Sequence, residues 1–259
     1  MKTHHKIIGI LAASLIGLSA TANAETAMNK KEVQSIVKDY LLNNPEIVVE
    51  SLQAFQQKQS DNTKKSFEKI QKLAPKHADR IFHNTNDPVA GNPNGTITLV
   101  EFSDYQCGHC ISMTPVIDQL IKQNPNLRVV MKEFPIRGPV SELAAKAAIA
   151  SKMQNKYKQF HIALMKSSKG QIKEEDIYKV AKSIGLDVNK LKKDMKSKEV
   201  TQKIKENYKL AQDLNLMFTP VFFIAKTSID SNASSEDIIF IPGGVSLEQL
   251  NKFINKLGS

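Results

Sequence analysis

Both cysteines of this 259-residue chain stand three positions apart, in Cys107-Gly108-His109-Cys110. They sit where a β-type run hands over to a helical one. Thr96-Ile-Thr-Leu-Val-Glu-Phe102 is short, β-branched, apolar and flanked by turn residues, which predicts a buried strand. A helix is expected from Cys107 to about Gln123, stopped by Asn124-Pro125, and Arg128–Phe134 reads as the next strand. Strand, helix and strand imply a parallel pair joined by a right-handed crossover. Two cysteines do not make a disulfide-stapled scaffold, and 41% hydrophobic with 24% charged residues is ordinary for a globular chain. Burial of apolar surface must therefore drive folding.

The remaining segments extend this α/β layout. Residues 28–58 read as two amphipathic helices about a break at Asn43-Asn44-Pro45. Val33, Ile36, Val37, Tyr40 and Leu41 recur at helical spacing in the first, and Ile47, Val48, Leu52 and Phe55 in the second. Asn44 is the expected cap of the second helix, with Pro45 at its first position. That helix can continue through Phe67, Ile70 and Leu73 until Pro75. Such a segment buries too little by itself, so it must pack on the rest of the chain or on a second copy. Residues 83–95, with Asp87-Pro88, Asn92-Pro93 and Asn94-Gly95, form a turn-rich junction. From Ser141 to Leu214 the pattern is helical throughout. Val221–Ala225 and Ile238–Ile241 return as strands, and Ser246 caps a last helix over 247–257. There is no internal repeat.

The first 24 residues carry Lys2 and Lys6, an uncharged run from Ile7 to Leu18, and Ala22-Asn23-Ala24. This is the pattern of a secretory signal peptide, and its apolar run is shorter than the ~20 residues of a spanning helix. No cysteine follows for lipid attachment. The mature protein is expected to be soluble in the oxidising periplasm of a Gram-negative cell. Export also reinterprets the net charge of +10. It argues against nucleic acid as a partner and assigns runs such as Lys64-Lys65 and Lys192-Lys193 to solvated helix faces, with contact to an anionic envelope surface the lesser reading.

The placement of the cysteine pair carries its chemistry. Unpartnered N–H groups and the macrodipole at a helix N-terminus favour an anion at Cys107. A protonated or donating His109 adds to this. In such motifs the thiol pKa falls from ~8.5 to ~3.5–7, a thiolate stabilisation of roughly 2–7 kcal/mol. The thiolate is the better nucleophile and leaving group, and Cys110, one turn further in, would resolve the mixed disulfide. A zinc site needs four ligands, but there is no second cysteine pair and His77, His83 and His161 are scattered, so no metal is expected. A structural disulfide closing a four-residue loop gains little entropy. Redox function is the reading these residues favour.

Three stretches resemble the thioredoxin-fold disulfide oxidoreductases of the DsbA type. They are Val100–Cys110, Lys132-Glu133-Phe134-Pro135-Ile136 and Phe218-Thr219-Pro220-Val221-Phe222-Phe223. The N-terminal Tyr40-Leu41-Leu42-Asn43-Asn44-Pro45-Glu46 resembles the extended, envelope-exported branch that includes 27 kDa outer-membrane proteins. The resemblance implies an α/β thioredoxin fold with an inserted helical domain at about 141–215. The domains expected are a signal peptide (1–24), an N-terminal helical dimerisation segment (25–82), a linker (83–95) and the thioredoxin domain (96–259). It implies that Pro220 is cis beside Cys107, with Thr219 and Gly108 on the substrate side. It also implies that Glu101 is a buried acid moving protons to and from Cys110. Catalytic roles then fall to Cys107, Cys110, His109 and Glu101, with no cofactor beyond the Cys107–Cys110 disulfide. Val33, Val37, Tyr40 and Leu41 are expected to form a homodimer.

The chain departs from the best-known monomeric enzyme in its Gly-His dipeptide, in Thr rather than Val before the cis proline, and in its N-terminal extension. All three pull toward isomerase activity. The function expected is a periplasmic oxidoreductase that forms and reshuffles disulfides in unfolded or misfolded exported proteins. A membrane partner of DsbB or DsbD type would recycle it, and association with the outer membrane is compatible with the branch. The rivals are a dedicated periplasmic reductase and a non-enzymatic exported chaperone or surface-binding protein whose CxxC only braces the fold.

Overall fold

The computed structural model describes residues 29–258, so the expected signal peptide lies outside the described residues. The chain divides into two compact units, one ending at Lys58 and the other starting at Gln59. Helix α1 (Lys30–Asn43) lies in the first unit, and α2 (Pro45–Leu73) runs across the division. Asn29 and Glu32 cap α1 reciprocally: the Asn29 side chain accepts from the Lys31 and Glu32 N–H groups while Glu32 accepts from the Asn29 N–H. Asn44 does not serve as the expected cap of α2. Its side-chain amide instead donates to the Tyr40 carbonyl at 2.8 Å, satisfying an orphan acceptor at the end of α1.

The second unit is built on a five-stranded sheet of order β1-β3-β2-β4-β5. Its strands are β1 (Val89–Gly91), β2 (Ile97–Ser103), β3 (Leu127–Glu133), β4 (Val221–Lys226) and β5 (Ile239–Pro242). β2 and β3 are parallel, as the strand-helix-strand pattern predicts, while β4 and β5 return antiparallel. β1 pairs antiparallel with β3 inside the stretch read from sequence as turns only. Three residues ending at a left-handed Gly91 (φ 71°) are too few to show alternation. The short α3 (Ala78–Phe82), preceded by a 3-10 turn, also has too little sequence for a period.

Every residue of β2 is buried, which is why its sequence reads as a continuous apolar run. The strand's period of two divides it between two cores. Ile97 and Leu99 pack with α4 (Gly108–Gln123), α10 (Leu247–Gly258) and the inserted helices. Val100 and Phe102 pack on the opposite face with Ile70, Phe82, Leu210 and Phe223. The insertion comprises α5 (Pro139–Lys152), α6 (Tyr157–Ser167), α7 (Glu174–Ser183), α8 (Val188–Asp194) and α9 (Lys198–Asp213). Ser246 caps α10 by accepting from the Gln249 N–H, as its sequence predicts.

On the face opposite α4 the sheet buries an ionic triad. Asp87 pairs with Lys132 of β3 and Lys203 of α9, and all three side chains are almost wholly removed from solvent. Lys132 also donates to the Arg80 carbonyl at 2.8 Å, and burial pushes its ammonium down to about 8. One carboxylate therefore balances two buried amines. Breaking a buried ion pair from one side typically costs about 3–5 kcal/mol, because the remaining charge cannot be rehydrated. Asp87→Asn should lower unfolding stability by about that amount in a urea titration. An unchanged urea midpoint would show that the triad contributes nothing.

Candidate active site

The end of β2 delivers the cysteine motif. After Ser103 the chain turns, with the Cys107 N–H donating to the Asp104 carbonyl at 3.1 Å, and α4 begins at Gly108. Cys107 is thus the N-cap residue, extended at φ −88° and ψ 114°. The Asp104 carboxylate is buried and fully used. One oxygen accepts from the Gln106 N–H and the Ser141 hydroxyl, each at 2.7 Å, and the other accepts from the Arg137 N–H at 3.0 Å. Gln106 donates in turn to the Arg137 carbonyl at 3.2 Å and to Ser141 at 3.0 Å. The loop between β3 and α5 is thereby clamped against the cysteine turn.

The two sulfurs have opposite environments. The Cys107 thiol donates to the Thr219 carbonyl at 3.2 Å, and the Thr219–Pro220 peptide is cis. The Cys107 thiol is pulled down to about 5. The largest cause is the Cys110 thiol acting as a donor, followed by donation from Thr219, from the Cys110 N–H and by the charge of Arg137, all against the cost of burial. Arg137 Nη2 lies 3.9 Å from Cys107 Sγ. While the Cys107 thiol carries its proton, the Thr219 hydroxyl has no hydrogen-bond partner among the described residues, and it is the donor that the ionised sulfur takes. Cys110 is buried and pushed far upward, first by desolvation and then by its role as donor to Cys107. One thiol is held as an anion and its neighbour as a proton carrier.

Below them lies a buried acidic cluster. The alternation that sends Leu99 to the α4 face sends Glu101 there too, where it is 2% exposed. Burial raises its carboxyl to about 8, with Ser103 lowering it and the Cys107 charge raising it. Glu101 lines a cavity of about 30 Å³ with Thr114, Tyr157, Lys158 and His161, room for one water molecule. Glu133, at the end of β3, is also held at about 8 by burial. It accepts from the hydroxyls of Tyr105 (3.0 Å) and Tyr157 (2.6 Å). His161 Nδ1 lies 3.0 Å from the Tyr105 hydroxyl, and burial lowers this imidazole to about 4. Ser168 donates to the Tyr105 carbonyl at 2.8 Å. The inserted helices thus hold the residue two positions before Cys107.

Of the residues singled out in sequence, Cys107, Cys110, Thr219 and Pro220 come together, with Glu101 coupled to both sulfurs. Gly108 and His109 are exposed on the first turn of α4. The cation beside Cys107 is Arg137 and not His109, whose carbonyl accepts from Ser112 at 2.8 Å. A Cβ added at Gly108 would meet nothing within 4 Å, so no close contact requires glycine at that position. Val33, Val37, Tyr40 and Leu41 lie on α1 in the first unit and are 36–57% exposed. Among the described residues no group of three or more His, Cys, Asp or Glu side chains is placed to hold a metal ion. Arg137, Asp104, Glu133 and His161 were not assigned roles from sequence. Only the charge of Arg137 and Glu133 was visible there, with nothing to tell which solvated charge would fold back onto the site.

An absorbance titration of the reduced protein should show one thiolate with a midpoint near pH 5. Ionisation favours the folded reduced chain. The stabilising contribution is therefore complete above the free-thiol value near 9 and is lost as pH falls through about 5. Thr219→Val removes a donor to the charged sulfur and should raise the midpoint by about one unit. A wild-type midpoint near that of free cysteine would contradict this electrostatic account.

Residues 98–255 match the DSBA-like thioredoxin domain, and residues 29–61 match the copper resistance protein ScsC N-terminal domain. A thioredoxin-like oxidoreductase from Silicibacter pomeroyi DSS-3 is 38% identical, with 69% of this chain and 95% of that one covered and a TM-score of 0.62. BcfH of Salmonella enterica Typhimurium is 29% identical, with 88% and 96% covered and a TM-score of 0.66. The Na(+)/H(+) antiporter NhaA 1 of Salinispora arenicola is 26% identical over 140 residues, which is 53% of this chain and 21% of the antiporter. The chain thus spans about a fifth of the length of that curated relative. No helix among the described residues is long and apolar enough to cross a membrane. With residues 98–255, more than half of its length, matched to that domain, the chain belongs to the DSBA-like thioredoxin domain family.

Proposed function

We propose that the chain is a periplasmic thiol-disulfide oxidoreductase that forms disulfides in exported proteins and reshuffles wrong ones through Cys107 and Cys110. The observation that carries this reading is the split between the sulfurs: Cys107 held at about 5 beside the Thr219 carbonyl, Cys110 buried and held high. In oxidation a substrate thiolate attacks Cys107 Sγ of the disulfide. The Cys107–Cys110 bond breaks, and its electron pair leaves on Cys110, which takes up a proton. A second substrate thiolate then attacks the substrate sulfur and expels Cys107 as its thiolate. The substrate has lost two electrons and gained a disulfide. In reshuffling, the Cys107 thiolate attacks a substrate disulfide and a substrate thiol resolves it.

Glu101 is the proton exchanger for Cys110 in this scheme. Held near 8, its carboxyl is neutral over most of the working range and gives up a proton when the charge beside it changes. A substrate segment would pair with the backbone of Thr219, where proline leaves no competing N–H. Ile136 and Met217, 37% and 82% exposed, supply apolar surface near the two loops that flank the sulfur. Reshuffling is favoured by Thr219 and by a second copy of the chain. Val33, Val37, Tyr40 and Leu41 expose an apolar stripe on a helix with no buried residue, and covering it takes a partner surface. We assign that surface to a homodimer, with the pair recycled by a membrane redox protein.

Cys107→Ser should abolish insulin reduction and ribonuclease refolding, whereas Cys110→Ser should accumulate mixed disulfides with substrate. Activity unchanged in Cys107→Ser would leave only a binding module. Charged replacements at Val37, Tyr40 and Leu41 should halve the mass measured by light scattering, and the same monomer mass for both forms would end the dimer assignment.

A further inference from the structure

Arg137 is held in an unusual way for an exposed surface arginine. Its N–H donates to Asp104 at 3.0 Å, and its carbonyl accepts from Gln106 at 3.2 Å. Both partners belong to the turn that carries Cys107. The backbone of Arg137 is therefore pinned from either side by the redox turn, while its side chain stays exposed and reaches to 3.9 Å from Cys107 Sγ. The nearby Asp104 carboxylate is spent on N–H and hydroxyl donors. Among the described residues no carboxylate forms an ion pair with the Arg137 guanidinium. The anion it faces among the described residues is the one made at Cys107.

We propose that Arg137 is a catalytic residue and an anion subsite: its guanidinium steadies Cys107 as the departing thiolate and selects substrates that carry a carboxylate beside the reacting cysteine. The inference rests on Cys107 being the exchanging sulfur. In the mixed disulfide the sulfur of Cys107 is bonded to substrate and bears no charge. The guanidinium then has no ion-pair partner among the described residues, and an Asp or Glu next to the substrate cysteine is within its reach. When the second substrate thiolate expels Cys107, the electron pair lands on Cys107 Sγ and the guanidinium again has its anion. A planar fork of donors suits both a carboxylate and a polarisable sulfur. The apolar Ile136 next to it supplies contact area without a competing charge.

The test uses the full chain and two reporter peptides that differ only in Asp or Lys beside a single cysteine. Rates of reaction with the oxidised protein are measured for wild type, Arg137→Leu and Arg137→Glu. Wild type should prefer the Asp peptide over the Lys peptide at least about fivefold more strongly than Arg137→Leu does, and Arg137→Glu should invert the preference. The variants lower the net charge of +10 by only one and two units, so the change in ratio reports chiefly the local group. Separately, the reduced thiolate midpoint should rise by about half a unit in Arg137→Leu, hold in Arg137→Lys, and lose this difference in 1 M salt. Equal peptide ratios in wild type and Arg137→Leu, or an unmoved midpoint, overturn the assignment. A wild-type protein inert toward every peptide sinks the exchange reading instead, and the midpoint, which needs no substrate, still judges Arg137.

Discussion

The Asp104 carboxylate accepts three hydrogen bonds, from the Gln106 and Arg137 N–H groups and the Ser141 hydroxyl. It joins the cysteine turn, the loop after β3 and the first turn of α5 in one knot. Each bond to a charged acceptor contributes about 1.5–3 kcal/mol and, more to the point, fixes direction. Without it neither the approach of Arg137 to the sulfur nor the presentation of Cys107 at the start of α4 is determined. The rest of the site is arranged around that turn: Thr219 on one side, Arg137 on the other, Cys110 beneath.

The site is set over several ionisable groups taken out of water. Glu101 and Glu133 are both raised to about 8 by burial; the Cys107 charge adds to the rise at Glu101, and Asp104 and Glu101 add to it at Glu133. At neutral pH these carboxyls are mostly protonated, which spares the interior two more negative charges below an anionic thiol. Tyrosine hydroxyls from the cysteine turn and from α6 converge on Glu133, so the inserted helical domain supports the redox turn through polar contacts as well as packing. On the opposite face of the sheet, Asp87 with two lysines shows the other solution to buried charge, which is pairing. The face with paired charge bears no sulfur, and the face with protonatable charge bears both.

The elements that were legible in sequence are those whose periodicity is long enough to be read. β2, β3 and β4, the helix after Cys107 and the helical insertion all carry extended apolar runs or helical spacing. β1 and α3 were not legible, because three and five residues do not establish a period and tertiary pairing decides them. Asn44 shows the same limit at one residue. A side chain that suits a cap in sequence can equally turn back to the helix before it, and the structure takes the second choice.

Taken alone, the sequence determined the α/β class, the strand-helix junction that bears Cys107, the burial of β2 and the pairing of a distant Thr-Pro with the motif through family resemblance. The first three follow from local pattern, since a helix N-terminus and a continuous β-branched run each need only neighbours along the chain, while the Thr-Pro placement rests on the resemblance alone. Tertiary structure alone decided which cation meets the sulfur. His109 is two positions from Cys107 in sequence yet is exposed to solvent, and Arg137, thirty residues on, lies against it. The reason is geometric. Side chains on the first turn of a helix radiate outward, whereas a loop crossing the end of the parallel strands is brought over the N-cap by hydrogen bonds that no local pattern records. The burial of Glu133 and His161 was decided in the same way, by inserted helices closing over groups that a sequence places only as polar.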